Sequence, residues 1–327
     1  MSSIDLAAAE RIADALFAPD APHGLSLALV VQQAGEVVLE RYGHQPDTVF
    51  GPGGPVTADT TLISWSMAKS ITHAAVGILV GEGRLRLEEP APVPSWQGTA
   101  KEAITLQQLL EMRSGLEFVE DYVDAGASHC IEMLGGVGHA DMAAYAAAQS
   151  LLHPPGAVWN YSSGTANIVA RIVGDAVGGG REGMERFLRD RLFGPTGMTS
   201  AIPKFDEAGT FIGSSFVYAT ARDFALFGEL YLRDGIGVDG IRVLPAGWRD
   251  HARAVKAHDP DSGFGYGAHW WTWPDLPGSL AAHGYEGQYT LVVPDRELVV
   301  VHLGKVPADR RPTLNDRLRE LVACTHR

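Results

Sequence analysis

A serine and a lysine three residues apart are the side chains of this sequence best placed to do covalent chemistry. The motif Ser-Met-Ala-Lys occupies residues 66–69 and opens an apolar segment that predicts a helix ending near Gly81. Residues three apart share one face of a helix, so the Ser66 hydroxyl and the Lys69 amine can meet. A serine hydroxyl is a good nucleophile only when a neighbouring base takes its proton. The motif therefore fits an attack on an acyl group, and taken alone it fits equally well a serine N-cap followed by a surface lysine.

A tyrosine ahead of a second predicted helix is the next candidate. Residues 159–164 read Trp-Asn-Tyr-Ser-Ser-Gly, and a helix is predicted over residues 165–177. A loop tyrosine such as Tyr161 can reach into a cleft, where nearby ammonium groups or a helix end lower its pKa and let it act as an acid or base. The alternative is a packing tyrosine whose hydroxyl caps a turn. Trp65 and Trp159 flank the two motifs and either wall an acyl pocket or pack at its edge.

A glycine-containing stretch near the C-terminus could supply backbone donors. Residues 283–287 read His-Gly-Tyr-Glu-Gly and precede a strand predicted over residues 288–293. Glycines here would let a substrate lie against the edge of the strand. A backbone N–H of this stretch could pair with that of Ser66 to form an oxyanion hole. The alternative is a turn that only leads into the strand.

The predicted strands come from the two ends of the chain and most of the predicted helices from its middle. Short loops join the β-rich runs at 25–31 and 36–42, and those at 288–293 and 297–303, so each pair must be antiparallel. The sequence therefore predicts an α/β (α+β) fold with one antiparallel sheet built from both chain ends. The terminal helices and the helix that starts at Ser66 would cover this sheet, and a mostly helical subdomain would be inserted beside it.

The predicted boundaries divide the chain into a discontinuous α/β domain, residues 1–86 and 204–327, and a mostly helical subdomain, residues 87–203. A cleft between the two would be a common place for a ligand site. Within the first unit a strand is predicted over residues 267–273, where Trp271 would face away from the two other tryptophans of that strand.

Composition and charge exclude several classes of function. The chain has 327 residues, 46% of them hydrophobic, and a formal net charge of −13, which argues against nucleic acid or an anionic membrane as a partner. The N-terminus lacks a signal-peptide pattern and no apolar run is long enough to cross a membrane, so the cytoplasm is expected. Cys130 and Cys324 are expected to be free thiols. No metal or other cofactor is predicted, because His129, His139 and His153 lack ligand spacing.

An acidic segment follows the short helix predicted over residues 105–112. Its carboxylates are Glu117, Glu120, Asp121 and Asp124. Such charge runs usually form solvated loops, and that is the expectation here. The alternative is a loop that meets the amine end of a substrate.

Together the three motifs resemble the serine β-lactamase-like hydrolases, a superfamily that includes class C β-lactamases, DD-peptidases, family VIII carboxylesterases and 6-aminohexanoate-dimer hydrolases. Residues 66–69 match its Ser-x-x-Lys motif at the head of a core helix, and residues 161–163 match its Tyr-Ser-x motif. Two further segments, 109–116 and 219–228, look like its helix ending in Ser-Gly-Leu and its Thr-Ala-x-Asp-x-Ala-x-Phe helix. The resemblance covers most of the chain, from about residue 25 to residue 303.

The resemblance implies a role for each matched residue. Ser66 would be the acylated nucleophile, Lys69 would help to take its proton, and Tyr161 would relay that proton to the leaving group. The backbone N–H of Tyr285 would complete the oxyanion hole. The candidate substrate-binding residues beside them are Trp65, Trp159, Ser163, His283, Gly284 and Glu286.

The sequence departs from the family pattern where a Lys-Thr-Gly motif is expected. The corresponding strand carries His283, Gly284 and Glu286, so the cation that pairs with a β-lactam or peptide carboxylate is missing, and Glu286 could instead attract a cationic substrate. We therefore expect a cytoplasmic esterase or amidase acting on small molecules, with a β-lactamase or DD-peptidase as the alternative. A non-catalytic binding protein on the same fold is a further alternative, although the complete serine–lysine–tyrosine set speaks against it.

Overall fold

The computed structural model describes residues 3–47, 52–124 and 126–326. In chain order the strands are β1 (Ser3–Ile4), β2 (Leu25–Gln33), β3 (Glu36–Tyr42), β4 (His44–Gln45), β5 (Gly54–Pro55), β6 (Leu62–Ile63), β7 (Ile202–Pro203), β8 (Val217–Ala219), β9 (Ala257–His258), β10 (Gly265–Tyr266), β11 (Trp271–Thr272), β12 (Leu280–Gly284), β13 (Gln288–Val293), β14 (Leu298–Lys305) and β15 (Thr325–His326). The α-helices are α1 (Leu6–Leu16), α2 (Ala68–Gly81), α3 (Leu106–Leu110), α4 (His129–Gly135), α5 (Met142–Ala148), α6 (Ser163–Val177), α7 (Gly180–Phe187), α8 (Gly194–Thr196), α9 (Ala221–Leu232), α10 (Trp248–Arg253) and α11 (Arg311–Ala323).

An eight-stranded antiparallel sheet forms the centre of the fold, in the order β3-β2-β14-β13-β12-β11-β10-β9. Strands from the two chain ends meet where β2 pairs with β14, and Val30 lies opposite Val301 in that register. The predicted fold class, an antiparallel sheet built from both ends of the chain and flanked by helices, is therefore confirmed.

Alternating side chains of the central strands bury both faces of this sheet. On β14, Val299 and Val301 join the core that contains α2 and α9, whereas Leu298 and Val300 join the core that contains α1 and α11. Because side chains of a strand alternate between the two faces, the sheet is the middle layer of three. Helix α9 packs directly over β2, β13 and β14, and α2 packs against α6.

The predicted hairpins form where the turn residues allow them. Ala34 and Gly35 connect β2 to β3, with φ angles of 51° and 85° that suit the tight turns of antiparallel hairpins. The second hairpin joins β13 to β14 across a 3₁₀ turn at Pro294–Arg296, as predicted. Strands β2, β13 and β14 lie inside the sheet, whereas β3 is an edge strand.

The prediction of one continuous strand over residues 267–273 is wrong. β10 and β11 pair with each other as a hairpin, with Tyr266 opposite Trp271, and the chain turns between them at His269, whose φ is 54°. Two buried hydrogen bonds hold this turn: the His269 N–H donates to Leu110 O at 2.9 Å, and the Ser70 hydroxyl donates to His269 O at 2.8 Å. These contacts with α2 and α3 override a local sequence pattern that is typical of a strand.

The tryptophans of this segment do not have the predicted orientation. Trp270 is buried in the core on the α9 side of the sheet, and Trp273 is buried in the core on the α1 side. Trp271 is partly buried: it packs against the core on the α1 side and also against Tyr266 and Trp159. The expectation that Trp270 and Trp273 share one face is wrong, because residues three apart on a strand lie on opposite faces, and Trp271 lies on the side of Trp273.

Helices α3 to α8 account for most of the middle of the chain. Helix α6 begins at Ser163, two residues before the predicted start, because the Ser162 hydroxyl accepts a hydrogen bond from the Thr165 N–H and caps the helix. The division into two units at residues 86 and 203 stays a prediction. Within the described parts of the chain, no helix combines the length and the apolar character needed to cross a membrane.

Gly77 in α2 provides a test of the packing around this helix. A Cβ added there would stand 2.4 Å from Trp248 Nε1, which also donates to His73 O at 3.2 Å and so cannot retreat without losing that bond. We expect Gly77→Ala to lower the free energy of unfolding by about 1–3 kcal/mol, measured by urea denaturation.

Gly174→Ala in α6 is the matched control. Apart from its chain neighbours and the backbone of its own helix, no atom of the described residues lies within 4 Å of a Cβ built at this position. Because alanine favours a helix over glycine, we expect this change to raise the free energy of unfolding by up to about 1 kcal/mol. Equal effects of the two substitutions would contradict the packing described.

Candidate active site

Ser66 lies on a single 3₁₀ turn, Trp65–Met67, that leads into α2 and borders a cavity. Trp65 has a φ of 44°, a left-handed conformation that residues other than glycine rarely adopt. Met67 is buried on the other side of the turn, where its sulfur lies 3.5 Å from Thr290 Oγ1 of β13. The turn is therefore fixed against the sheet while the Ser66 side chain stays half-exposed, and local strain of this kind concentrates at functional sites.

Lys69 lies directly behind Ser66 and is only 1% exposed. Its Nζ donates to Ser66 Oγ at 2.9 Å, to Ser163 Oγ at 3.0 Å and to Ser214 O at 3.1 Å. An ammonium has three N–H donors, and here three oxygen acceptors meet them. The spacing of the serine and the lysine along the sequence thus does bring them together, with the lysine buried and not on the surface.

Glu120 extends this chain of hydrogen bonds beyond Lys69. The Ser163 hydroxyl donates to Glu120 Oε1 at 2.5 Å, and the Ser163 N–H donates to Glu120 Oε2 at 2.7 Å. Ser163 is the first residue of α6, so the carboxylate also lies at the positive end of a 15-residue helix. A continuous path of side chains therefore joins Ser66 through Lys69 and Ser163 to Glu120.

The Tyr161 ring lies against the same lysine. Lys69 Nζ stands 4.7 Å from the ring centroid, and the ring packs against Tyr266 and Trp271. Burial raises the pKa of Tyr161, the charge of Lys69 lowers it, and the charge of Glu120 raises it again, with a net upward shift. The phenol therefore keeps its proton at neutral pH and is a potential proton donor.

A cavity of about 870 Å³ opens beside Ser66. The predicted site residues that line it are Ser66, Trp159, Tyr161, His283, Gly284 and Tyr285. Lys69 and Ser163 lie behind this wall and reach it through their hydrogen bonds. Three stretches that are far apart in sequence therefore meet at one cavity.

Besides Ser163, two predicted substrate-binding residues, Trp65 and Glu286, lie outside the cavity wall. Neither is among the described residues that line the cavity. The Trp65 ring packs against Phe216 and Tyr285, and the Glu286 carboxylate lies 3.8 Å from Lys305 Nζ. Trp65 thus supports the wall from behind, while Glu286 is engaged by a cation of β14.

Gly284 allows strand β12 to approach the nucleophile turn closely. A Cβ at this position would lie 2.4 Å from the backbone oxygen of Ser64. The chain then enters a 3₁₀ turn at Tyr285–Gly287, and the Tyr285 ring meets the Trp65 ring edge-on at 5.8 Å. The backbones that precede Ser66 and Tyr285 are therefore neighbours, as two oxyanion donors would have to be.

His283 does not replace the missing cation of this strand. Burial and the charge of Arg311 hold the pKa of His283 well below its ordinary value, so the ring is neutral. Trp273 Nε1 donates to His283 Nε2 at 2.9 Å, and the ring stacks on Trp271. His283 therefore offers the cavity a neutral aromatic surface.

Arg311, at the start of α11, is a cation of the cavity that the sequence motifs do not reveal. It lines the cavity and lies over the Tyr285 ring, with its guanidinium carbon 5.4 Å from the centroid. Its Nε is buried and has no hydrogen-bond partner among the described residues. No local pattern distinguishes Arg311 from the other arginines of that helix, so sequence reasoning had no signal for it.

Glu120 is the second functional residue that the sequence did not reveal. Its segment was expected to be a solvated loop, and the exposed side chains of Val123 and Asp124 agree with that expectation. Glu120 instead turns inward to Ser163. The run of acidic residues was the one feature of the sequence that pointed to this segment, and it does not indicate which carboxylate points inward.

The chemistry available at this cavity is covalent and acid–base. It combines a serine hydroxyl, a buried lysine and a protonated tyrosine within one hydrogen-bonded and packed group. Over the described residues, no group of three or more histidine, cysteine, aspartate or glutamate side chains is arranged to hold a metal ion.

Known proteins resemble this chain over most of its length. The model of the beta-lactamase family matches residues 13–323. The 6-aminohexanoate-dimer hydrolase of Paenarthrobacter ureafaciens is 28% identical over 302 residues, which cover 86% of this chain and 72% of that protein. Penicillin-binding protein 4 of Amycolatopsis lactamdurans is 28% identical over 297 residues, 77% of this chain and 74% of that protein. The solved structure of a family VIII carboxylesterase superposes with a TM-score of 0.73 at 16% identity, covering 98% of this chain and 97% of that one.

The close approach at Gly284 leads to a testable prediction. Because a Cβ there collides with the Ser64 carbonyl, Gly284→Ala must push β12 away from the nucleophile turn. We expect the rate at which a fluorophosphonate labels Ser66 to fall by about tenfold or more. Gly54→Ala is the control, since no atom lies within 4 Å of its Cβ among the described residues. An unchanged labelling rate in Gly284→Ala would rule out this role for the strand.

Proposed function

The chain belongs to the beta-lactamase family, and we propose that it is a serine hydrolase that cleaves ester or amide bonds of small molecules through an acyl-enzyme. One observation carries the proposal: the buried Lys69 ammonium donates to the hydroxyl of Ser66 at 2.9 Å, beside a cavity. Burying a charge is costly unless it is paired, so packing alone gives no reason to keep a lysine here. Activation of the serine does give one.

Acylation would proceed in one sequence of bond changes. Lys69 first gives one proton of its ammonium to solvent; Ser66 Oγ then attacks the carbonyl carbon of the substrate and transfers its proton to the neutral amine. Tyr161, which is protonated because burial raises its pKa, gives its proton to the departing alkoxide or amine. Lys69 then returns a proton to Tyr161, whose ring lies 4.7 Å away. The alcohol or amine leaves, and Ser66 carries the acyl group as an ester.

Deacylation would use the same groups in reverse. A water molecule takes the place of the leaving group, loses its proton to the lysine–tyrosine pair and attacks the acyl carbon. Ser66 leaves with a proton returned by that pair, and the free acid is released. The enzyme is thereby restored without a cofactor in either half-reaction.

The oxyanion would be held by the backbone N–H groups of Ser66 and Tyr285. The close approach of Gly284 to Ser64 supports this assignment, because it sets the two backbones side by side. The start of α2 adds a positive potential at the same place. Two fixed donors of this kind stabilise the tetrahedral intermediate more than the planar carbonyl.

The wall of the cavity favours a substrate with an apolar part. Its aromatic members are Phe118, Tyr122, Trp159, Tyr161, Phe264, Trp271, Tyr285 and Tyr289. Aromatic rings bind apolar groups with little loss of side-chain freedom. A curated relative named a 6-aminohexanoate-dimer hydrolase supports amides as well as esters among the substrates.

A penicillin-recognising enzyme is the second candidate, and Arg311 is the observation that favours it. The guanidinium lines the cavity near Tyr285 and can pair with a carboxylate, although the Lys-Thr-Gly motif is missing. A relative named penicillin-binding protein 4 supports the same candidate. The expectation that carboxylate recognition is weak therefore has a structural counter-argument.

We place the protein in the cytoplasm as part of the same proposal. Cys130 and Cys324 are both free and buried, which fits a reducing compartment.

Replacing Ser66 tests the proposed function directly. We expect Ser66→Ala to reduce hydrolysis of a short p-nitrophenyl ester by about a thousandfold or more, because the nucleophile is removed while Lys69 keeps its bonds to Ser163 and Ser214. Steady-state rates with this ester and with nitrocefin, compared with those of the unmodified protein, provide the measurement. Retained ester turnover would refute the assignment. Absence of turnover and of fluorophosphonate labelling in the unmodified protein would favour a binding protein on this fold.

Replacing Arg311 separates the two candidates. If the guanidinium binds a carboxylate, Arg311→Gln should raise KM about tenfold for a p-nitrophenyl ester that carries a terminal carboxylate and leave KM for a neutral ester within about twofold. Arg311→Lys keeps the charge and serves as the matched control. Equal changes for both esters would show that Arg311 only supports the Tyr285 ring.

A further inference from the structure

We propose that Glu120 is a positioning residue of this site, which acts through Ser163 to hold the Lys69 ammonium and to provide its counter-charge. The inference rests on the proposed serine-hydrolase function. It assigns a task to one carboxylate of the acidic segment and to the second serine of the Tyr-Ser-Ser motif.

The direction of the hydrogen bonds follows from the chemistry of a carboxylate. An ionised carboxylate only accepts, so the Ser163 hydroxyl must donate its hydrogen to Glu120 Oε1 at 2.5 Å. That hydroxyl can then only accept from Lys69, whose Nζ lies 3.0 Å away. Glu120 thereby fixes Ser163 as an acceptor, and Ser163 fixes one of the three N–H directions of Lys69. The remaining two N–H groups are directed to Ser66 Oγ and Ser214 O.

Both oxygens of Glu120 are occupied by the protein itself. Oε2 accepts from the Ser163 N–H at 2.7 Å, and Oε1 also accepts from the Tyr122 hydroxyl at 2.7 Å. A carboxylate engaged in this way is not free to bind the amine end of a substrate, the role considered for the acidic segment. Its task is internal: it joins the loop that carries Tyr122 to the start of α6 and places a negative charge beyond Ser163.

The same charge acts on Tyr161. The titratable groups that interact with this phenol are Lys69, Glu120, Tyr122 and Tyr266. The negative charge of Glu120 disfavours the phenolate and so raises the pKa of Tyr161. Neutralising Glu120 must therefore lower this pKa. Tyr161 would then lose its proton, and its role as proton donor, at a lower pH than in the unmodified protein. A purely structural carboxylate would not move the alkaline limb of the pH–rate profile in this direction.

Glu120→Gln is the variant that tests the proposal, and fluorophosphonate labelling of Ser66 is a readout that needs no known substrate. We expect the second-order labelling rate and kcat/KM for the p-nitrophenyl ester to fall about tenfold or more, because an amide cannot accept from both Ser163 donors with a full charge. The alkaline limb of both pH profiles should move to lower pH. Glu117→Gln is the matched control, since Glu117 belongs to the same segment but not to the described lining of the cavity.

Two further variants keep the test meaningful if Glu120→Gln loosens the loop. Glu120→Asp retains the charge, so its alkaline limb should stay closer to that of the unmodified protein than the limb of Glu120→Gln, even if its rate is reduced. Ser163→Ala breaks the link to Lys69, so adding Glu120→Gln to it should cost clearly less than Glu120→Gln costs alone.

The outcomes separate this proposal from the proposed function. Suppose that the unmodified protein is labelled. Unshifted alkaline limbs in Glu120→Gln, or fully additive effects of Glu120→Gln and Ser163→Ala, would then overturn the role of Glu120 but not the serine-hydrolase function. No labelling of the unmodified protein at any pH would overturn both. A shifted limb with non-additive effects supports the proposal.

Discussion

The buried ammonium of Lys69 is the interaction on which the rest of this structure depends. A charge that is 1% exposed costs several kcal/mol in lost hydration unless oxygen acceptors replace the water. Here Ser66, Ser163 and the backbone of Ser214 replace it, all within 3.1 Å. These acceptors come from the nucleophile turn, from the start of α6 and from the segment before β8, so three regions of the chain must converge on one nitrogen.

Further hydrogen bonds show how the fold secures that convergence. Asn167, one turn after Ser163 on α6, accepts from the Ser214 N–H at 3.1 Å and so fixes the carbonyl that faces Lys69. Ser64, just before the nucleophile turn, donates its backbone N–H to Val217 O at 2.8 Å, and its hydroxyl accepts from the Val217 N–H at 3.1 Å. The segment before β8 and the first residue of that strand are thereby tied to α6 and to the nucleophile turn. The central sheet contributes by bringing β12 against Ser64, where only a glycine fits.

What the sequence can predict follows from how local each interaction is. The pairing of Ser66 with Lys69 depends on a helical spacing of three residues, and the start of α6 near Tyr161 depends on a capping serine, so both could be read from short segments. The fold class followed from strand patterns at the two chain ends. Glu120 and Arg311 reach the cavity only through tertiary contacts, and no spacing rule identifies them. The prediction of a strand over residues 267–273 was wrong for the same reason, because hydrogen bonds that join His269 to Ser70 and Leu110 impose a turn there.

The central claim is that Ser66 carries an acyl group during turnover. The most direct measurement is rapid acid quenching of the protein during hydrolysis of a slowly deacylated p-nitrophenyl ester, followed by mass spectrometry of the intact chain and its peptides. The mechanism predicts a mass increase equal to one acyl group, located on the peptide that contains Ser66 and chased away when the ester is exhausted. Turnover without any adduct, or an adduct on another residue that forms and decays at the catalytic rate, would contradict it.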